Sequence, residues 1–240
     1  MSTKIGLNLT KHYSINFNLP KRNNNLINFI IFHYTGMKKE SDAIKKLCNQ
    51  KSKVSSHYFI KNSGEVLILV PDLFEAWHAG KSSWGKYKFL NKYSIGIEIH
   101  NPGHEHGYKK FNPNQISSLK KLLNFLIKKY KIKSKNILGH SDIAPDRKKD
   151  PGEKFPWKEL SKSNLCIWHK LNRKNIKKFR KKKISVEKEN IFFKNLRKLG
   201  YSINNRKNVT MAFQRKFRQD LIDGKIDKEC LIISENLLKH

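Results

Sequence analysis

Acidic residues are scarce in this chain of 240: 19 Asp and Glu stand against 51 Lys and Arg, a formal net charge of +32. That imbalance predicts attraction to polyanions (nucleic acid, acidic lipid surfaces or a carboxylate-rich cell-wall polymer) without choosing among them. The abundance of Lys, Asn and Ile makes compositional drift a second source of the charge. Cysteine is nearly absent. Cys48, Cys166 and Cys230 are far apart and form no CxxC pair, which excludes a disulfide framework and a thiolate zinc site and favours a reducing compartment. No apolar run reaches membrane-spanning length. The first residues, Met1 to His12, lack a signal-type apolar core and a small-residue cleavage site, so export by the general route is not expected. No nucleic-acid-binding motif accompanies the positive charge. What is present is enough apolar material, 38% with 11% aromatic, to pack one sizeable domain and a smaller one, which excludes a disordered tail protein.

Periodicity predicts strands alternating with helices: a buried strand over 26–34, an amphipathic helix over 39–50 and a hairpin of strands 57–61 and 65–70 about Asn62-Ser63-Gly64. A central strand at 93–100, a helix from Asn112-Pro113 to about Tyr130 and a strand at 136–139 follow. The expected fold class is α/β, a mixed β-sheet flanked by helices, followed by a small three-helix C-terminal module. Boundaries are expected at 1–165 for the main domain, 166–185 for a basic linker and 186–240 for the helical module. The last contains helices near 188–199, 208–219 and 227–238.

The stretch from Gly139 to Gly152 (GHSDIAPDRKKDPG) reads as a strand edge emptying into a polar loop, kept from helix by two prolines and a closing glycine. His140 and Asp150 stand at its ends. A loop that folds back would bring them together, and neutral imidazole with carboxylate suits a metal ion. The best third ligand is His33, at the end of the apolar run Leu26 to Phe32. In the strand at 93–100, alternation puts Ile95, Ile97 and Ile99 on one face and Glu98 on the other, where a carboxylate needs a partner.

Five blocks in order, Phe32-His33-Tyr34-Thr35-Gly36, Ser55-Ser56-His57-Tyr58, Ala76-Trp77-His78-Ala79-Gly80, Ser94 to Ile99 and Gly139 to Gly152, resemble the zinc-dependent N-acetylmuramoyl-L-alanine amidases, the type shared with peptidoglycan recognition proteins. The resemblance covers roughly 12–160. It implies one Zn²⁺ held by His33, His140 and Asp150, with Glu98 as the acid and base and Lys148 stabilising the oxyanion. It also implies hydrolysis of the amide between N-acetylmuramic acid and L-alanine, in peptidoglycan or muropeptides. Trp77, His78 and Trp84 are expected to line the sugar-peptide groove, with His57 beside the site. Ser56 stands where phage-type relatives carry a tyrosine, so no acid/base role falls there. Gly103-His104-Glu105-His106-Gly107 mimics a metal motif but reads as a loop rim.

The tail, through Leu196 to Tyr201 and Ala212 to Arg218, is similar to a three-helix peptidoglycan-binding module with a shortened middle. Two other readings stand beside the hydrolase. A binding-only protein of the same fold would lack a ligand, whereas this chain keeps Asp150 and Lys148; a basic nucleic-acid binder would rest on charge alone. A wall substrate and a wall-binding tail favour the envelope, and the missing leader favours the cytoplasm. Oligomeric state is not written in the sequence.

Overall fold

The computed structural model describes residues 6–239. Its strands in chain order are β1 (Leu9–Lys11), β2 (Phe17–Asn18), β3 (Phe29–Tyr34), β4 (Tyr58–Ile60), β5 (Val66–Ile68), β6 (Glu75–Ala76), β7 (Ser83–Trp84), β8 (Tyr87–Lys88), β9 (Ser94–Ile99) and β10 (Ile137–Gly139). The helices are α1 (Glu40–Cys48), α2 (Pro113–Tyr130), α3 (His140–Ile143), α4 (Trp157–Lys162), α5 (Arg173–Lys177), α6 (Val186–Leu199), α7 (Arg206–Phe217) and α8 (Lys228–Leu237). Six strands form one mixed sheet in the order β1-β5-β4-β9-β3-β10. The strands β4, β9, β3 and β10 are mutually parallel, while β5 runs antiparallel to β4 and carries β1 parallel to itself. This is the expected mixed sheet with flanking helices.

Alternation along β3 and β9 divides the core. Ile30, Phe32, Ile95, Ile97 and Ile99 face α2, whose Leu119, Leu122, Leu123 and Leu126 are wholly buried. Asn112 caps that helix, accepting from the Asn114 N–H, with Pro113 in its first turn. Trp157 and Phe155 close the same layer against Phe32, with ring centroids 5.5 and 5.0 Å away. Truncating so enclosed a side chain to alanine costs about 3–5 kcal/mol. The opposite face is shared. Phe59, Leu67 and Leu69 pack under Ala43 and Leu47 of α1, whereas Phe29, Ile31 and Leu138 pack under the C-terminal helices. Between these two covers the face is left to polar side chains.

Three local departures from the expected elements have physical causes. The first long strand begins at Phe29, because Asn24–Leu26 wind into a 3-10 turn capped by the Asn23 side chain. The loop after β10 opens with the single helical turn α3, because Asp142 reaches back to accept the Gly139 N–H at 2.8 Å; Pro145 then turns Ala144 out of helix. The basic stretch expected as a linker is docked. Ile176 of α5 is buried, and Arg180 grips Glu229 of α8 through Nε (2.6 Å) and Nη2 (2.9 Å). All three cysteines are free, with Cys166 and Cys230 buried.

Candidate metal centre

Strand register alone brings residues 107 positions apart in sequence to one spot. In the β3–β10 pair Phe32 lies opposite Gly139, so the residues that follow, His33 and His140, emerge side by side. In the β3–β9 pair His33 lies opposite Glu98. The three side chains therefore rise at the carboxyl ends of adjacent parallel strands, where α/β sheets commonly carry their sites. Asp150 is returned to them by the loop after α3, tied by the Ser141 N–H donating to the Asp150 carbonyl at 2.9 Å. Gly139 leaves room for the return, since a Cβ there would stand 2.6 Å from Pro151 Cδ.

His33 Nδ1, His140 Nδ1 and one Asp150 oxygen form a triangle with edges of 2.9, 3.1 and 3.0 Å, all three residues being buried. Neighbours settle which imidazole nitrogens carry hydrogen. The Ser94 hydroxyl donates to the Leu90 carbonyl at 2.6 Å, so it accepts from His78 Nε2 at 3.2 Å. His78 Nδ1 then accepts from His33 Nε2 at 3.0 Å, and His33 Nδ1 keeps its lone pair. His140 Nε2 donates to the Ala79 carbonyl at 3.3 Å, leaving its Nδ1 bare as well. With neutral imidazoles, three acceptors confront one another with no proton between them. A cation resolves that arrangement. The centre of such a triangle is about 1.7 Å from each corner, inside the reach of metal–nitrogen and metal–oxygen bonds of roughly 2.0–2.2 Å. The residues fit a single metal ion.

Charge in the cluster follows from burial and neighbours. Burial, then the adjacent His140, lowers His33 to about 4, so it stays neutral in mild acid. Glu98 goes the other way: burial, then repulsion from Asp150, pushes it up to about 8 against the pull of Lys148. Its Oε2 is sealed from solvent and has no hydrogen-bond partner among the described residues.

The cluster floors a cavity of about 350 Å³ whose walls include Glu98, Lys148, Trp77, Tyr34, His104 and Glu105. The expected loop rim is thus a wall of the cavity: His104 bonds Tyr34 OH through Nδ1 (2.9 Å) and Glu153 through Nε2 (3.1 Å). Trp77 is part-buried, its indole N–H donating to Asn18 at 2.9 Å. Not every expected groove residue lies there. Trp84 is buried with its ring edge-on to Tyr201 (4.7 Å) and a Cβ on Gly200 would meet it, so it serves the junction with the C-terminal helices instead. His57 sits wholly buried beneath the site, accepting the Gly96 N–H at 2.9 Å. His78 touches the cavity but spends both nitrogens on Ser94 and His33. Gly96 makes that possible, because any Cβ there would lie 2.4 Å from the His78 ring.

Sequence reasoning passed over Ser94 and Arg147. Arg147 staples the loop that carries the Ala79 carbonyl, donating from Nε to Lys81 O at 3.0 Å and from Nη2 to Ala79 O. Only the single glycine in an isoleucine-rich strand hinted at the ring packed over Gly96.

Residues 22–153 match the family model described as N-acetylmuramoyl-L-alanine amidase. The chain is 34% identical over 231 residues to N-acetylmuramoyl-L-alanine amidase AmiD of Escherichia coli K12, covering 89% of this chain and 83% of that protein. The structure of E. coli AmiD in complex with anhydro-N-acetylmuramic acid-L-Ala-D-gamma-Glu-L-Lys superposes with a TM-score of 0.78 at 32% identity, over 89% of each chain. That of AmpDH3 from Pseudomonas aeruginosa with anhydromuramic pentapeptide gives 0.78 at 27% identity, over 94% of this chain and 96% of the other.

Proposed function

Because the chain belongs to the N-acetylmuramoyl-L-alanine amidase family, we propose that it hydrolyses the amide joining N-acetylmuramic acid to L-alanine, in peptidoglycan or in muropeptides released during wall turnover or recycling. The observation that carries the reading is the triangle of His33 Nδ1, His140 Nδ1 and Asp150 Oδ2, three acceptors converging at the floor of an open groove. Zinc suits these donors, and when bound it supplies Lewis-acid polarisation and a water acidified to about neutral pKa.

The remaining chemistry falls to this chain's own side chains. Glu98 has a sealed, unpartnered Oε2 and a pKa raised to about 8, close to working pH, where a group can both take and return a proton. It accepts a proton from the attacking water and delivers it to the leaving L-alanine nitrogen. Lys148 makes no ion pair among the described residues and lines the same cavity, free to donate to the scissile carbonyl oxygen as it gains charge. Trp77 offers an indole face to the glycan or peptide. Division of labour follows the same lines: residues 1–165 carry the reaction, and 186–240 meet the glycan strand.

The test is release of free L-alanine-headed peptide from purified muropeptides. Chelation abolishes it, stoichiometric zinc restores it, and Asp150→Ala removes it. A chelator-treated, metal-free enzyme of full activity would overturn the reading.

A further inference from the structure

Just behind the triangle lies a second buried cluster that the proposed reaction does not use. Asp142, in α3, is 1% exposed, and Lys216, in α7, is 2% exposed; they are 74 residues apart in sequence and 3.0 Å apart in space. Lys216 Nζ also donates to the Ile137 carbonyl at 3.1 Å and stands 4.3 Å from the centre of the Trp157 ring. The other Asp142 oxygen accepts from Tyr201 OH at 2.6 Å. Burial, then the Asp142 carboxylate, pushes the Tyr201 phenol well above its ordinary value, so it stays a donor.

Both donors come from the C-terminal segment, and both grip the turn that begins with His140. The same carboxylate holds the Gly139 N–H, the peptide group immediately before His140. Gly139 in turn is packed by Pro151, the residue immediately after Asp150. The network therefore holds the backbone next to two of the three ligands, before His140 and after Asp150. A buried carboxylate that lost its lysine would seek water or a proton, and α3, a single turn, would shift with it.

We infer that Lys216 and Tyr201 are positioning residues for the metal centre: the C-terminal helices set the affinity of the His33–His140–Asp150 site by fixing the backbone that carries His140 and Asp150. This rests on the metal-site reading above.

The experiment uses the full chain and measures zinc affinity by competition with a chromogenic chelator, beside chemical denaturation. Lys216→Met should weaken zinc binding roughly 10–100-fold, the range seen when outer partners of metal ligands are lost. Tyr201→Phe, which removes only a hydroxyl and spares the fold, should weaken it several-fold, and carries the test if Lys216→Met does not fold. Arg180→Met is the control. It breaks another largely buried ion pair, between the docked basic stretch and Glu229 of α8, that does not touch α3. It should cost stability and leave zinc affinity unchanged. Wild-type affinity in both Lys216→Met and Tyr201→Phe, or equal weakening by Arg180→Met, would overturn the inference. Failure of the wild-type chain itself to take up zinc would sink the metal reading instead.

Discussion

Asp142 and Asp150 stand on one loop, both buried, yet their surroundings are opposite. Every short contact to Asp142 is a donor: Tyr201 O–H at 2.6 Å, Gly139 N–H at 2.8 Å and Lys216 ammonium at 3.0 Å. Asp150 faces two imidazole nitrogens whose hydrogens are committed elsewhere, at 3.0 and 3.1 Å. A buried carboxylate with a full set of donors is finished structure. One that confronts other acceptors is a group that could hold a cation, and the difference is legible in the contacts alone. The family resemblance and the geometry reach the same trio by independent routes.

The strongest way to break the comparison is to delete a corner of the triangle. Asp150→Ala or His140→Ala should abolish zinc retention and lower kcat/KM by about 10³-fold or more, since a bound metal supplies several kcal/mol and each 1.4 kcal/mol is tenfold. Muropeptide turnover with metal analysis checks it. Asp142→Asn leaves the three ligands in place but strips Lys216 of its counter-ion and sets an amide N–H₂ against a donor, so it should weaken zinc binding yet keep measurable activity.

Next in size is Glu98→Gln, expected to lower kcat by about 10²–10⁴ with zinc content unchanged. Its pH signature has a definite sign. Glu98 is raised in the folded, metal-free protein from 4.5 to about 8, so the neutral form is the one the fold favours. That contribution is fully present below the unfolded value and is lost as pH climbs from about 4.5 through 8. Denaturation of metal-free protein across that window should show wild type losing stability relative to Glu98→Gln. Parallel curves would mean that the carboxyl is better solvated than its sealed Oε2 implies.

Metal withdrawal gives the third effect. Zinc at a thousandfold above its Kd stabilises the native state by about 4 kcal/mol, equivalent to roughly 10 °C for a chain of this size. Chelation should remove that increment. Hydrogen exchange should quicken around Asp150 and His33 more than around Lys216, whose partners remain.

Much of this was readable from the sequence because the site lies on regular structure. Runs of β-branched residues marked β3 and β9, alternation put Glu98 on the face opposite the isoleucines, and a Pro-Gly-bounded loop marked the return of Asp150. The trio needed only strand ends and one loop. What stayed hidden depended on contacts between distant segments with no local pattern. Lysine at 216 lies in a helix rich in basic residues, and nothing in its spacing separates it from a solvated one. Trp84 was expected in the groove on composition, but a Gly200–Tyr201 corner far along the chain captured it. The docking of 166–185 was obscured in the same way, since its charge masks the buried Ile176 and the Arg180–Glu229 pair.

The finest probe of the comparison is Gly96→Ala. It alters no charge, ligand or donor and adds one methyl group under the His78 ring. That methyl would lie 2.4–2.6 Å from three ring atoms, closer than real contacts allow, so His78 must tilt away from the sheet. Tilting stretches the 3.0 Å bond to His33 and the 3.2 Å bond to Ser94, which together keep hydrogen off His33 Nδ1. Overpacking of this kind costs about 1–3 kcal/mol. Loosening the partner of a metal-ligating histidine should weaken zinc binding about tenfold, while Asp142, in α3, keeps all its donors. An alanine variant with unchanged zinc affinity would mean that the His33 tautomer is set by something other than the Leu90–Ser94–His78 chain. The argument that its Nδ1 faces the triangle bare would then lose its support.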